Sequence, residues 1–213
     1  MLLAGHYGSG KTNIAVNLAE KISEERKVAL CDIDIVNPYF RSKDSEDRLR
    51  EKGIEVVASQ YANTNLDAPA LPKEIYPALE DRKTVLIMDV GGDDRGALAL
   101  GRYTPTILEE NDYEMIFVAN LYRPLTRTAE EAIEVMREIE FASKIPFTAI
   151  INNSNLGINT TVETVYDTGE EIKRLSKLSG LPVVMTTVPK NLYDEARKRI
   201  ENVFPLRLQE KII

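Results

Sequence analysis

The sequence holds no tryptophan and a single cysteine, Cys31. One thiol cannot close a disulfide within the chain, and no CxxC pair is present to grip a metal, so a reducing cytoplasm is the expected setting. Long apolar runs are missing as well. None approaches the roughly 20 residues that a membrane-spanning helix needs, which argues against an integral membrane protein. The opening Met1-Leu2-Leu3-Ala4 is apolar, but no basic region followed by a long apolar core accompanies it, so no secretory leader is expected. Excess positive charge is absent too: 34 acidic against 27 basic side chains leave a net charge of −7. A chain that holds DNA by neutralising its phosphates is more often basic, so nucleic acid is not expected as a partner. No internal repeat or low-complexity tract interrupts the sequence, and its 213 residues suit one domain with a sizeable core.

What the sequence does have is alternation. Short runs rich in Val and Ile read as strands at Leu2 to Ala4, Val28 to Ile33, Ile54 to Ala58, Val85 to Val90, Met115 to Ala119, Phe147 to Ile151 and Val183 to Thr187. Continuous apolar runs of this length fit strands buried on both faces. Between them lie helical stripes: Ile14, Ala15, Leu18, Ala19 and Ile22; then Ala132, Ile133, Met136 and Ile139; then Val162, Val165, Ile172 and Leu175. Thr126 or Thr128 is placed to cap a helix starting near Ala129, and Gly180 followed by Pro182 stops the third helix. Tyr61 to Pro72 lacks periodicity and reads as a loop. Strand–helix alternation implies βαβ units and a largely parallel sheet, whose ligands bind at the carboxyl ends of the strands.

The first such end carries Gly5-His6-Tyr7-Gly8-Ser9-Gly10-Lys11-Thr12, which fits G-x-x-x-x-G-K-[ST] without a gap. An apolar strand precedes it and an amphipathic helix follows, the context a phosphate-binding loop requires. Gly5, Gly8 and Gly10 let the backbone curl so that N–H groups, with those of Ser9 and Asn13 near the helix start, converge on phosphate oxygens. Lys11 supplies a cation for the β- and γ-phosphates, and Thr12 a hydroxyl for Mg²⁺. The expected fold is therefore α/β: a single-domain P-loop NTPase spanning residues 1–213, with a mostly parallel sheet of about seven strands flanked by helices on both faces.

Two further strands end in acids. Val85-Leu86-Ile87-Met88-Asp89 is the Walker B pattern, with Asp89 expected to hold Mg²⁺ through water. Gly92 completes Asp-x-x-Gly, where a backbone N–H senses the γ-phosphate, and Asp93 and Asp94 follow as candidates to orient water. The other strand ends Cys31-Asp32-Ile33-Asp34, and alternation points Asp32 and Asp34 to one face. Carboxylates beside a phosphate loop are costly without a nearby cation. Asp32 is the candidate for Mg²⁺ or water; Asp34 is either a metal ligand or the cap of the next helix.

In this set of motifs the chain resembles the MinD/ParA/nitrogenase-iron-protein class of P-loop ATPases over nearly its whole length. Asp32 and Asp34 resemble that class's Walker A′ element, and Asp89-Val90-Gly91-Gly92-Asp93 its switch II. Ile151-Asn152-Asn153-Ser154 resembles the strand-end Asn motif that meets adenine, Asn153 being the closer match, and Val188-Pro189-Lys190 the turn that closes over the base. The resemblance implies ATP and Mg²⁺ as cofactors, with Lys11, Asp32 and Asp93 in hydrolysis, Thr12, Asp34 and Asp89 on the metal, and slow turnover as a switch. It also implies a nucleotide-dependent homodimer and a protein client. The early loop lysine that reaches across such dimers is here His6, with Arg41 a candidate replacement. The iron–sulfur cysteine of the nitrogenase protein would fall near Gly96 and is missing, as are the paired C-terminal cysteines of iron–sulfur scaffold relatives. A guanine reader of Asn-Lys-x-Asp type is not found; Asn152-Asn153-Ser154-Asn155 lacks both the lysine and the aspartate.

Two other functions share this scaffold. One is an ATP-dependent metabolic enzyme of the dethiobiotin synthetase or cobyrinate amidation type, to which Asp93, Asp94 and the loop Tyr61 to Pro72 would belong. The other is a metallocentre-insertion accessory ATPase, for which two protomers would each lend a Cys31 thiol. Tyr122-Arg123-Pro124-Leu125-Thr126-Arg127 carries two arginines and either binds an anionic partner, lines the site or, the favoured reading, is a solvated loop entering a helix; Tyr39 and Phe40 read as core packing or a contact surface. The tail from Phe204 to Ile213 is short, broken by Pro205 and weakly basic, so no stable membrane anchor is expected.

Overall fold

The apolar runs become strands because both of their faces are covered, which lets every second residue contribute to one of two cores. A computed structural model describes residues 1–33, 43–58, 75–92 and 94–208. Its strands are β1 (Leu2–Ala4), β2 (Lys27–Asp32), β3 (Ile54–Ala58), β4 (Thr84–Asp89), β5 (Met115–Ala119), β6 (Ala149–Asn152), β7 (Val183–Pro189) and β8 (Val203–Leu206). They form one sheet in the order β3-β2-β4-β1-β5-β6-β7-β8, and each adjacent pair is parallel. The helices are α1 (Lys11–Ile22), α2 (Lys43–Glu51), α3 (Ile75–Glu80), α4 (Asp94–Leu100), α5 (Thr104–Glu110), α6 (Ala129–Ser143), α7 (Val162–Tyr166), α8 (Gly169–Ser179) and α9 (Tyr193–Ala196). Among the described residues no helix is long and apolar enough to cross a membrane.

Alternation along each strand separates the two cores. On one face Leu3, Leu30, Ile87 and Val118 pack with Ile14, Ala15 and Leu18 of α1 and Leu49 of α2. On the other, Cys31, Met88, Phe117 and Ile150 pack with Ala97 of α4, Ala132 and Met136 of α6, and Leu175 of α8. Helices therefore cover both faces. β1 sits between β4 and β5, and the chain leaves it toward β2 on one side before β5 is added on the other. Connections that diverge on either side of one strand open a crevice at its carboxyl end, and the glycine loop emerges there.

Two expectations need correction. The described residues form eight strands rather than seven, because Val203–Leu206 adds an edge strand along β7, pairing Val188 with Pro205. Pro205 cannot donate to a ladder, which suits a strand that is outermost among the described residues. The third helical stripe is also two helices: Thr128-style capping recurs at Thr161, α7 ends, and Thr168 turns the chain by bonding back to Val165 O before α8 begins. The start and stop signals hold elsewhere. Thr128 caps α6 in a reciprocal capping box with Glu131, and Gly180 ends α8 at φ 73. Residues 61–72 and the final residues 209–213 lie outside the described set.

The end of the last strand is clamped to α1 by one side chain. Asn17 donates through Nδ2 to Arg207 O at 3.1 Å and accepts from Arg207 N at 2.8 Å, while Nδ2 also reaches Asn13 O at 2.7 Å. Asn17 is largely buried, and its loss leaves the N–H and C=O of Arg207 without their protein partner. Asn17→Ala is expected to destabilise the protein by about 1–3 kcal/mol in urea unfolding. Asn17→Asp should recover less than half of this, because it keeps the acceptor but loses the donor. An unchanged midpoint in Asn17→Ala would show that the clamp contributes nothing.

Candidate functional site

The loop between β1 and α1 is shaped by space as much as by backbone dihedral. Gly8 and Gly10 sit at φ 75 and 92, where an L side chain is strained. A Cβ on Gly5 would stand 2.5 Å from Val118 O, and one on Gly10 would collide with the Asn153 side chain. The loop is thus pressed onto the ends of β5 and β6. Its helix follows without an acid in the first turn, whereas α6 and α8 each carry two glutamates there. The positive end of α1 is left for an external anion.

Lys11 is 6% exposed, and its ammonium donates to Gly5 O at 3.0 Å and His6 O at 3.3 Å, folded back along the loop. Thr12 donates its hydroxyl to Asp89 Oδ2 at 2.5 Å. Asp89 ends β4, and its register partner on β2 is Asp32. Leu30 and Ile87, two residues earlier, belong to the core beneath α1, so alternation turns both aspartates toward that face. Both are almost fully buried, at 2% and 1% exposure. Two buried carboxylates on neighbouring strands beside one lysine make a place where a divalent cation is stabilising. Among the described residues no three His, Cys, Asp or Glu side chains cluster tightly enough to hold a metal alone. The donor set of Thr12 hydroxyl, Asp89 and Asp32 matches Mg²⁺, which keeps most of its waters and takes one or two carboxylates.

Gly92 closes the site from the β4 side. A Cβ there would lie 2.7 Å from Tyr7 N and 2.9 Å from Lys11 Nζ, so only glycine lets this backbone approach the loop. Asn153 braces the other side: its Nδ2 donates to Ser9 O at 2.6 Å, and its Oδ1 accepts from the Thr187 hydroxyl. The Ser9 hydroxyl, 1% exposed, has no hydrogen-bond partner among the described residues.

Of the residues singled out from sequence, Gly5, Gly8, Ser9, Gly10, Lys11, Thr12, Asn13, Asp32, Asp89, Gly92 and Asn153 fall at this one end of the sheet. Pro189 ends β7, three strands from β1. Asp34, Arg41 and Asp93 lie outside the described residues, as do Tyr39 and Phe40. His6 turns its Nδ1 to Tyr7 O at 3.0 Å. Sequence reasoning missed Thr187 and Asn120. Asn120 is fully buried just past β5, where Oδ1 accepts from Tyr122 N and Asn155 N. A polar residue immediately after an apolar strand was the available signal for Asn120; Thr187 lies within β7, and nothing local in the sequence marked it.

Sheet order and loop together place the chain in the class of P-loop NTPase folds. Within that class the family model described as the CobQ/CobB/MinD/ParA nucleotide binding domain matches residues 1–162, and the chain belongs to that family. No curated protein matches the chain in sequence. Among solved structures, chloroplast FtsY from Physcomitrella patens is similar with a TM-score of 0.56 at 17% identity, covering 87% of this chain and 57% of that one. The cell division protein FtsY from Thermotoga maritima gives 0.56 at 18% identity, covering 88% and 60%. The signal recognition particle receptor FtsY from Elizabethkingia anophelis gives 0.54 at 19%, covering 91% and 59%. At such identities the likeness is one of fold alone. The chain spans 57% to 60% of the length of these three structures.

Cys31 lies one residue before Asp32 yet faces the opposite core, with no exposed surface. Burial, and then the neighbouring Asp32 and Asp89 charges, push its thiol well above the usual range. The native protein is therefore expected to resist an aromatic disulfide reagent at pH 8 and to release one thiol equivalent only on unfolding. Fast labelling of the folded chain would contradict this burial.

Proposed function

We propose that residues 1–213 form one nucleotide-binding domain that binds ATP with Mg²⁺ and hydrolyses it slowly as a conformational switch. The observation that carries the reading is the bond from Thr12 to Asp89, which joins the first turn of α1 to the end of β4 where a phosphate-bound metal would sit. Lys11 and the loop amides would hold the β- and γ-phosphates, and Ser9 has a buried hydroxyl to offer. Thr12 and Asp89 would hold Mg²⁺, with Asp34 as a further ligand. Held by these residues, Mg²⁺ would supply positive charge that offsets the phosphates. Asp32 and Asp93 are the residues assigned to orienting water, and Gly92, already against Lys11, to sensing the γ-phosphate.

Adenine is favoured over guanine by the residues at the end of β6. Guanine presents N–H donors that a carboxylate reads well, and none stands in Asn152-Asn153-Ser154-Asn155. The Asn155 side chain is instead turned into its own loop, donating to Asn153 O at 2.7 Å and accepting from Gly157 N at 3.1 Å. Asn153 and Pro189 are assigned to the base side of the site. For output, Tyr7, Leu98 and Leu125 are large apolar residues each more than 60% exposed. They lie on the segments that follow β1, β4 and β5, and exposed apolar side chains of this kind suit nucleotide-dependent pairing of two copies or a protein client.

Calorimetric titration with MgATP and MgGTP tests this. Lys11→Ala is expected to abolish ATP binding, and wild-type affinity in that variant would sink the assignment. Tighter binding of GTP than ATP by the wild-type protein would keep the nucleotide site and overturn the choice of base. Size-exclusion mass with MgATP and with MgADP, with phosphate release followed in the same samples, reports whether hydrolysis is coupled to pairing.

A further inference from the structure

Arg123 belongs to a segment that reads, in sequence, as a solvated entry to α6. The structure gives it a fixed position. After β5 the chain turns from Asn120 to Thr126, and Asn120 O accepts from Arg123 N at 3.1 Å and from the Thr126 hydroxyl at 2.8 Å. Thr126 is 1% exposed and Asn120 fully buried, so the base of this turn is anchored in the protein. Tyr122 adds a bond from its phenol to Thr164 O at 2.8 Å, and Leu125 takes a left-handed φ of 65 to complete the turn. Arg123 is thereby carried onto the phosphate loop: the Cβ position of Gly8 lies 3.4 Å from its Nε and 3.5 Å from its Cζ. Gly8 has no side chain to stand between the guanidinium and the loop. Among the described residues Arg123 has no ion-pair or side-chain hydrogen-bond partner.

The charge of the site explains why a second cation matters. Lys11, Asp32 and Asp89 are all buried at this end of the sheet, one cation with two carboxylates. A nucleoside triphosphate remains anionic with its Mg²⁺, so loading the site adds negative charge that Lys11 alone does not offset. A planar guanidinium at the loop's edge can meet phosphate oxygens with paired N–H donors, and it binds them more directionally than an ammonium.

We propose that Arg123 binds the phosphate chain of the nucleotide across Gly8, a second cation supplied by the chain itself; this rests on the site being a nucleoside-triphosphate site. The full chain is titrated calorimetrically with MgATP and MgGTP as wild type, Arg123→Ala and Arg123→Lys, with thermal unfolding of each ligand-free protein measured alongside. Loss of a charged hydrogen-bonding partner is expected to weaken binding of the preferred nucleotide about 10- to 100-fold in Arg123→Ala. Arg123→Lys should recover part of that loss, and the ligand-free unfolding midpoints should stay together because the side chain is exposed. Wild-type affinity in Arg123→Ala overturns the role of Arg123 and leaves the nucleotide site standing. A loss of affinity matched by a lowered ligand-free midpoint overturns it too, since the turn would then be structural. Wild-type protein that binds neither nucleotide overturns the site and the role together.

Discussion

The burial of Asp89 is the constraint around which this end of the molecule is arranged. A carboxylate with 1% exposure is costly unless protein dipoles or cations surround it. β4 lies between β1 and β2, so Asp89 is flanked by Leu3 on one side and Asp32 on the other. A second carboxylate as neighbour raises the cost. Relief comes from the first turn of α1, which must stay near enough for Thr12 to donate its hydroxyl. The placement of that helix is therefore tied to the charge at the end of β4, and the glycine loop is what lets the chain reach it.

The loop is held just as firmly from the opposite side. Val118 O forbids a Cβ at Gly5, the Asn153 amide forbids one at Gly10, and that same amide bonds Ser9 O. Thr187, on β7, fixes the amide's other end. Residues of β5 and β7 and the end of β6 thus set the curvature of Gly5 to Gly10. Such preorganisation is what an anion site needs, because amides already aimed at the phosphate cost no reorganisation on binding.

Much of this was legible in the sequence, and for identifiable reasons. The bounds of β1, β3 and β5 agree with their apolar runs, since strands covered on both faces announce themselves by composition alone. The loop, Asp32 and Asp89 were legible because their chemistry demands fixed residue types at fixed spacing. β8 was not: Val203-Phe204-Pro205-Leu206 carries a proline that argues against a strand until its edge position is known. Nor was the clamp from Asn17 to Arg207, or the brace from Asn153 to Ser9, because a side chain and a backbone group separated by 190 and 144 residues meet only through the sheet order. Asn153 illustrates the point well. Its place at the end of β6 follows from the motif, but which groups its amide satisfies is decided by β7 and the loop.

On the proposed switch reading, these restraints also decide where a signal would leave the site. α1 is fixed at its first turn by Asp89, along its length by Ile14 and Leu18 in the core, and at Asn17 by the chain beyond β8. A helix held at three levels is a poor candidate for the moving part. Gly92 is a better one. Its backbone lies against Tyr7 N and Lys11 Nζ with no room for a Cβ, and α4 starts two residues later. On that reading Lys11 is the group that a γ-phosphate engages, and adding or removing it would act on a cation close enough to Gly92 to exclude a Cβ there. α4 packs through Ala97 and Leu100 into the core on the far face, beside Met136 of α6. Displacement of Gly92 would therefore be felt on the side of the sheet away from the nucleotide, while the loop and α1 stay in place.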